Sequence, residues 1–179
     1  MIFRSYIVEG IIIKRINIGE ADKIITIFSK QKGKICCLAK GIRKIHSKRA
    51  GNLELFNVIR AQINIGRNLD YITEVEQKRC FSQTSQFKKI LVAYQIIELV
   101  DRLTAENQEN PDAYELLEMA LLKICQQEFS NDDLFRFKKN LLVNLGFGLP
   151  QKAEFDSIDS YISSLTNRKM ISNLYCDTI

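Results

Sequence analysis

The order of hydrophobic and polar residues changes character near residue 80. Before it, short runs rich in β-branched residues predict five strands. They lie at about Tyr6–Ile16, Asp22–Ser29, Lys34–Lys40, Leu53–Ile65 and Leu69–Glu76. Six of the eight glycines fall before residue 67, mostly in the turns between these runs. The pattern is typical of a small closed barrel, and the five-stranded OB-fold is the commonest candidate.

After residue 80 the apolar positions recur every three to four residues, which predicts helices. We expect them at about Gln86–Glu106, from Asn110-Pro111, from Asn131 or Asp132 to a left-handed cap at Gly146, and at about Phe155–Leu165. The predicted fold class is therefore α+β. An OB-fold barrel over residues 1–79 precedes an all-helical domain over residues 80–179.

Charge divides the chain at the same place. The net charge of the whole chain is +5, but residues 1–80 carry +9 and residues 81–179 carry −4. This asymmetry favours a polyanionic partner for the first half, such as a nucleic acid. The alternative is a chance difference between two solvated surfaces.

The densest group of cations lies between the third and fourth predicted strands. Residues 40–49 hold five cations and a histidine, and such a segment stays exposed because burying five charges is prohibitive. Clustered cations release counterions when they meet phosphates. The predicted nucleic-acid-binding residues are Lys40, Arg43, Lys44, Lys48 and Arg49 in this segment, with Lys23, Lys34 and Arg67 beside it and Lys14, Arg15 and Lys32 as possible extensions. A loop that only keeps the protein soluble is the alternative.

The sequence offers little for catalysis. His46 is the only histidine, and no nucleotide-binding or hydrolase motif is present, so we expect neither an enzyme nor a cofactor. Five cysteines without a C-x-x-C pair predict reduced thiols rather than disulfides or a zinc site. No apolar run is long enough for a membrane span, and no signal peptide is recognised. We therefore expect a cytoplasmic protein.

Four segments resemble conserved segments of the RecO family, in the same order and spacing. They are Gly19-Glu20-Ala21-Asp22-Lys23, Gly33–Lys44 with its Ala39-Lys40-Gly41 centre, Ser47-Lys48 followed by Leu53–Phe56, and Leu69–Glu74. A fifth, Leu141–Pro150, is similar to the segment that closes the family's helical core. The resemblance is strong over residues 5–77 and extends to about residue 150.

The resemblance implies a DNA repair and recombination mediator in the bacterial cytoplasm. Such a protein binds single- and double-stranded DNA and anneals complementary strands. With RecR, it helps to load RecA onto strands coated by single-strand-binding protein. Many family members carry a four-cysteine zinc motif after the helical core, whereas residues 151–179 contain only Cys176. The chain therefore resembles a short member without a metal site.

Two other functions stay open at the level of the sequence. One is an RNA-binding OB-fold module, and the other is a protein adaptor whose basic loop receives an acidic peptide. In the helical half, three basic pairs are candidates for receiving the acidic tail of single-strand-binding protein, with solvated surfaces as the alternative. They are Lys88-Lys89, Lys138-Lys139 and Arg168-Lys169.

Overall fold

The computed structural model describes residues 4–81, 87–126, 129–150 and 157–166. Within them the chain forms five strands followed by four helices. The strands are β1 (Ser5–Ile18), β2 (Asp22–Ser29), β3 (Gly33–Ala39), β4 (Val58–Asn64) and β5 (Asp70–Arg79). The helices are α1 (Phe87–Leu103), α2 (Pro111–Gln126), α3 (Asn131–Asn144) and α4 (Ile158–Thr166).

The five strands close into a barrel in the order β1-β2-β3-β5-β4. The long β1 pairs antiparallel with β4 through its first half and with β2 through its second half. β3 and β5 form a short parallel pair, in which Cys37 faces Asp70 and Leu38 faces Tyr71. This closed five-stranded barrel ahead of the helices confirms the predicted fold class.

A continuous apolar core fills the barrel. All five strands and the β3–β4 loop contribute to it: Val8, Ile12, Ile25, Ile27, Ile35, Cys37, Ala39, Ile42, Leu53, Ile59, Ala61, Ile63 and Ile72. In β4 the buried residues alternate with partly or fully exposed ones, as predicted for residues 59–63. This alternation gives β4 one face on the core.

The predicted start of the fourth strand is wrong. The prediction placed it at Leu53, whereas β4 begins at Val58. Phe56 adopts a left-handed backbone conformation (φ 68°), which a strand does not accommodate, and the amide of Leu53 donates to the carbonyl of Arg49 in a turn. Leu53 and Phe56 are buried as apolar anchors of a loop. At the other end, Ile65 lies beyond β4 and is 52% exposed.

Both ends of α3 are capped by hydrogen bonds. α3 begins after Ser130, whose hydroxyl accepts from the amide of Asp133 while the Asp133 carboxylate accepts from the amide of Ser130. After α3, Gly146 (φ 80°) and Phe147 donate to the carbonyls of Val143 and Leu142. These two bonds form the left-handed cap predicted from the glycine.

The chain divides into two compact units, one of which contains the barrel. The barrel unit also contains Ala105–Pro111, which leads from α1 to the first residue of α2. The amide of Asn107 donates to the carbonyl of Lys34 on β3. Gly33 lies against the same segment and has a φ of 64°. A Cβ atom at this position would lie 1.7 Å from the carbonyl oxygen of Gln108. Glycine at position 33 therefore permits the close approach.

Candidate nucleic-acid interface

The loop between β3 and β4, residues 40–57, is an ordered part of the barrel; we call it the basic loop. Ile42, Leu53 and Phe56 are buried and fix it to the core at three points. In addition, the amide of Phe56 donates to the carbonyl of Ile12, and the amide of Ile12 donates to the carbonyl of Asn57. The cations of the loop are thus carried on a backbone of defined shape.

One side of the basic loop is tied to the turn between β1 and β2. The carboxylate of Asp22 accepts from the amide of Gly41 at 2.7 Å. The amide of Arg43 donates to the carbonyl of Ala21, and the Arg43 guanidinium donates to the carbonyl of Gly19. Gly19 itself has a left-handed backbone, with a φ of 54°. The sequence alone indicates no contact of Gly19 or Asp22 with the basic loop. Their observed role is to anchor the loop.

Arg49 binds main-chain carbonyls on two sides of the loop. Its guanidinium donates to Ile72 O (2.9 Å) and Thr73 O (3.3 Å) on β5, and to Lys40 O (2.8 Å) where the loop begins. A planar guanidinium can satisfy several acceptors at once, which an ammonium cannot. Arg49 was predicted to contact phosphate, but in this structure its donors hold the basic loop to β5.

The basic loop carries four further cations on its surface. Lys40, Arg43, Lys44 and Lys48 are all exposed, and we call them the cationic cluster. Within the residues that the structure describes, Lys44 and Lys48 have no ion-pair partner. The Lys40 ammonium lies 5.4 Å from the ring centroid of Tyr71. Four accessible positive charges on one ordered loop form a surface suited to phosphates.

Two more of the predicted nucleic-acid-binding residues lie outside the basic loop, on two different parts of the barrel. Lys23 lies opposite Ala39 in the β2–β3 pair and is half-buried. Arg67 is exposed in the turn between β4 and β5, which Asp70 holds by accepting from the amide of Gly66 at 3.0 Å.

Lys34 does not belong to the exposed surface. It is only 8% exposed, at the point where β3 meets the Ala105–Pro111 segment. Among the extensions, Arg15 forms an ion pair with Glu54 and donates to Leu53 O. Lys32 lies 4.4 Å from the ring centroid of Tyr6.

The two cysteines of β3 have thiol pKa values above the ordinary range. Burial raises the pKa of the Cys37 thiol to about 12, and burial also raises the pKa of Cys36. A thiolate, rather than a thiol, is the nucleophile and metal ligand. In the described parts of the chain, no group of three His, Cys, Asp or Glu side chains is arranged to hold a metal ion.

A groove of about 310 Å³ on the outside of the barrel has a different character. Ile7, Arg60, Gln62, Glu74, Val75 and Glu76 line it. The Lys78 ammonium, 2.8 Å from Glu76, lowers the pKa of that carboxyl. With two carboxylates in its lining, the groove is a poorer phosphate-binding surface than the basic loop.

In the helical unit, one lysine of a predicted basic pair already forms an ion pair. Lys138 is buried, and its ammonium lies 2.6 Å from the carboxylate of Asp159 on α4. Lys139 and Lys88 are exposed, while Lys89 is half-buried. The pair Arg168-Lys169 lies outside the described residues. Lys138 is therefore unsuited to receiving an acidic peptide.

The barrel order and the helices that follow define an OB-fold protein with a helical second unit. Comparison with known families gives the same division. Residues 1–81 match the family model "Recombination protein O N terminal", and residues 84–158 match "Recombination protein O C terminal". Together the two models cover most of the chain. The chain therefore belongs to the RecO family.

Its relatives carry the same family name. A "DNA repair protein RecO" from Roseiflexus sp. is 35% identical over 92% of this chain and 58% of its own length. Another, from Symbiobacterium thermophilum, is 34% identical over 79% of this chain and 57% of its own length. The matched part of the chain thus spans somewhat more than half the length of these relatives. No helix among the described residues is sufficiently long and apolar to cross a membrane.

Proposed function

We propose that this protein is a DNA repair and recombination mediator of the bacterial cytoplasm. It binds single-stranded DNA through the cationic cluster and anneals complementary strands. The role involves no covalent chemistry and needs no cofactor. Two kinds of observation support it: the family to which the chain belongs, whose matched relatives are named DNA repair proteins, and the surface of the basic loop.

The observation that carries the proposal is the exposed, ordered arrangement of the cationic cluster. Cations that contact phosphates release condensed counterions, which gives affinity for any sequence. Annealing requires two negatively charged strands to approach each other, and neutralising their phosphates lowers the repulsion between them. The cationic cluster supplies four charges for this purpose, and Lys23 and Arg67 on neighbouring elements add two more.

The proposed partners follow from the family resemblance. They are single- and double-stranded DNA, RecR, single-strand-binding protein and, indirectly, RecA. The helical unit is proposed to dock proteins rather than DNA, because residues 81–179 carry a net charge of −4. Its exposed Lys88 and Lys139 remain candidates for the acidic tail of single-strand-binding protein.

The experiment is an annealing assay with two complementary oligonucleotides, naked or coated with single-strand-binding protein. The test variant is Lys44→Ala/Lys48→Ala, and the control with the same charge change is Lys88→Ala/Lys139→Ala. On naked DNA we expect the loop variant to anneal slowly and the control to match the wild type. A loss of annealing in the control variant that appears only on coated DNA would support tail docking by the helical unit. Wild-type annealing by the loop variant on naked DNA would refute the proposal.

The same oligonucleotides distinguish the two other functions. The 2′-hydroxyl is the group by which a protein tells RNA from DNA. An affinity for RNA far above that for DNA of the same sequence would identify an RNA-binding module. Salt-sensitive binding of an acidic peptide, without binding of either nucleic acid, would identify an adaptor.

A further inference from the structure

Ile45 lies in a turn of the basic loop. It is 96% exposed, whereas Phe87, the next most exposed large apolar side chain in the described parts of the chain, is 64% exposed. The amide of Ser47 donates to the carbonyl of Lys44 at 2.9 Å, which closes a four-residue turn with Ile45 and His46 at its corners. A preceding bond, from the amide of Lys44 to the carbonyl of Gly41, fixes the approach to this turn.

Isoleucine is a poor choice for such a corner on structural grounds. Turn corners favour Gly, Pro, Asn, Asp and Ser, because these residues suit the backbone or bond to it. A β-branched residue with nothing packed against it contributes nothing to the folded state. Single exposed apolar residues are common on protein surfaces. Ile45 differs from them by its almost complete exposure and by its neighbours.

Those neighbours are cations that face solvent. Arg43 and Lys44 precede Ile45, Lys48 follows it, and all three are exposed. The ligand that reaches Ile45 must therefore combine an apolar surface with closely spaced negative charge. Single-stranded DNA has this composition, because unstacked base faces alternate with phosphates along the strand. Aliphatic side chains, isoleucine among them, insert between bases in other nucleic-acid complexes.

We propose that Ile45 contacts nucleobases directly, packing against an unstacked base while the cationic cluster holds the adjacent phosphates. This role rests on the proposed DNA binding and adds a base contact to it. It also gives the basic loop an exposed apolar contact, in a protein that has no Trp and in which Tyr71 is half-buried. A base kept out of its stack is available to pair with a complementary strand during annealing.

The test separates base contact from phosphate contact. Full-length wild type, Ile45→Asn and Ile45→Leu are titrated with a dT oligonucleotide and with an abasic oligonucleotide of the same length and phosphate number. Asparagine suits a turn corner, so Ile45→Asn should melt at or above the wild-type temperature. Ile45→Leu keeps the apolar surface and serves as the matched control.

We expect Ile45→Asn to lose about tenfold in affinity for dT, since burying most of an isoleucine side chain contributes roughly that factor. Its affinity for the abasic strand and the salt dependence of binding should stay as in the wild type, and Ile45→Leu should bind dT normally. Equal binding of dT by Ile45→Asn and wild type would overturn the inference while leaving DNA binding intact. An equal loss on the abasic strand would overturn it too, because the contact would then not involve bases. Failure of the wild type to bind either strand would refute both this inference and the proposed function.

Discussion

Replacing Arg49 by lysine separates the structural role of this residue from its charge. The guanidinium joins Lys40 O, at the start of the basic loop, to Ile72 O and Thr73 O on β5. Lysine preserves the positive charge, but its compact ammonium cannot span the same acceptors. The substitution therefore loosens the loop and leaves the net charge unchanged.

The size of the effect follows from the bonds that are lost. A hydrogen bond from a charged donor contributes about 1.5–3 kcal/mol when it is shielded from water. Arg49 is only half-buried, so water replaces part of that interaction. We expect Arg49→Lys to lower the free energy of unfolding by about 1–2 kcal/mol, and Arg49→Ala by somewhat more. For a small domain this corresponds to a fall in melting temperature of roughly 5–10 °C.

Urea unfolding followed by circular dichroism measures the stability, and titration with single-stranded DNA at several salt concentrations measures the phosphate contacts. Lys48→Ala is the control, because Lys48 is exposed on the same loop. It should change the stability by less than about 0.5 kcal/mol and lower the slope of log K against log salt by about 0.7. Arg49→Lys should show the reverse pattern: lower stability and an unchanged slope. If Arg49→Lys is as stable as the wild type, the carbonyl bonds are not what holds the loop.

Three further outcomes follow from the structure. Gly33→Ala should destabilise the protein by more than about 1 kcal/mol in thermal melting, and by more than Gly19→Ala. Both glycines have a positive φ, but only at Gly33 would a Cβ overlap another group, the carbonyl of Gln108. Bonds to Lys123 and to the capping serine lower the pKa of Asp133 from 3.8 to about 2. Its contribution to stability is therefore complete above pH 4 and is lost as the pH falls toward 2, so Asp133→Asn should flatten the acid side of the stability curve. Finally, purified protein should contain no stoichiometric zinc, and a chelator should leave its melting temperature unchanged.

The barrel was predictable because its strands follow a local rule. Alternation of apolar and polar residues located β4 between Ile59 and Ile63, and the glycines marked the turns. The same rule failed at Leu53 and Leu55, whose spacing of two imitates a strand. What separates a strand from an anchored loop there is the left-handed backbone at Phe56 and its bond to Ile12, which joins residues distant in sequence.

The exposure of the basic loop was predictable from the sequence, but the contacts of each of its cations were not. The high density of cations in the sequence identified the basic loop, because many charges in one segment must remain exposed. It could not distinguish Arg49, which binds carbonyls of β5, from Lys48, which faces solvent. Nor could it show that Lys34 is buried beside Asn107, because that contact comes from a segment about seventy residues away. These assignments depend on tertiary contacts, whose partners a one-dimensional pattern does not specify.

The proposed binding of phosphates by the cationic cluster is tested most directly by the salt dependence of affinity for single-stranded DNA. Each phosphate contact on a single strand contributes about −0.7 to the slope of log K against log salt. Lys44→Ala/Lys48→Ala should therefore reduce the magnitude of the wild-type slope by about 1.4, to the same extent for dT and for a mixed sequence. Lys88→Ala/Lys139→Ala, with the same change in net charge, should leave the slope unchanged. A wild-type slope in the loop variant would contradict the assignment of the basic loop as the DNA-binding surface.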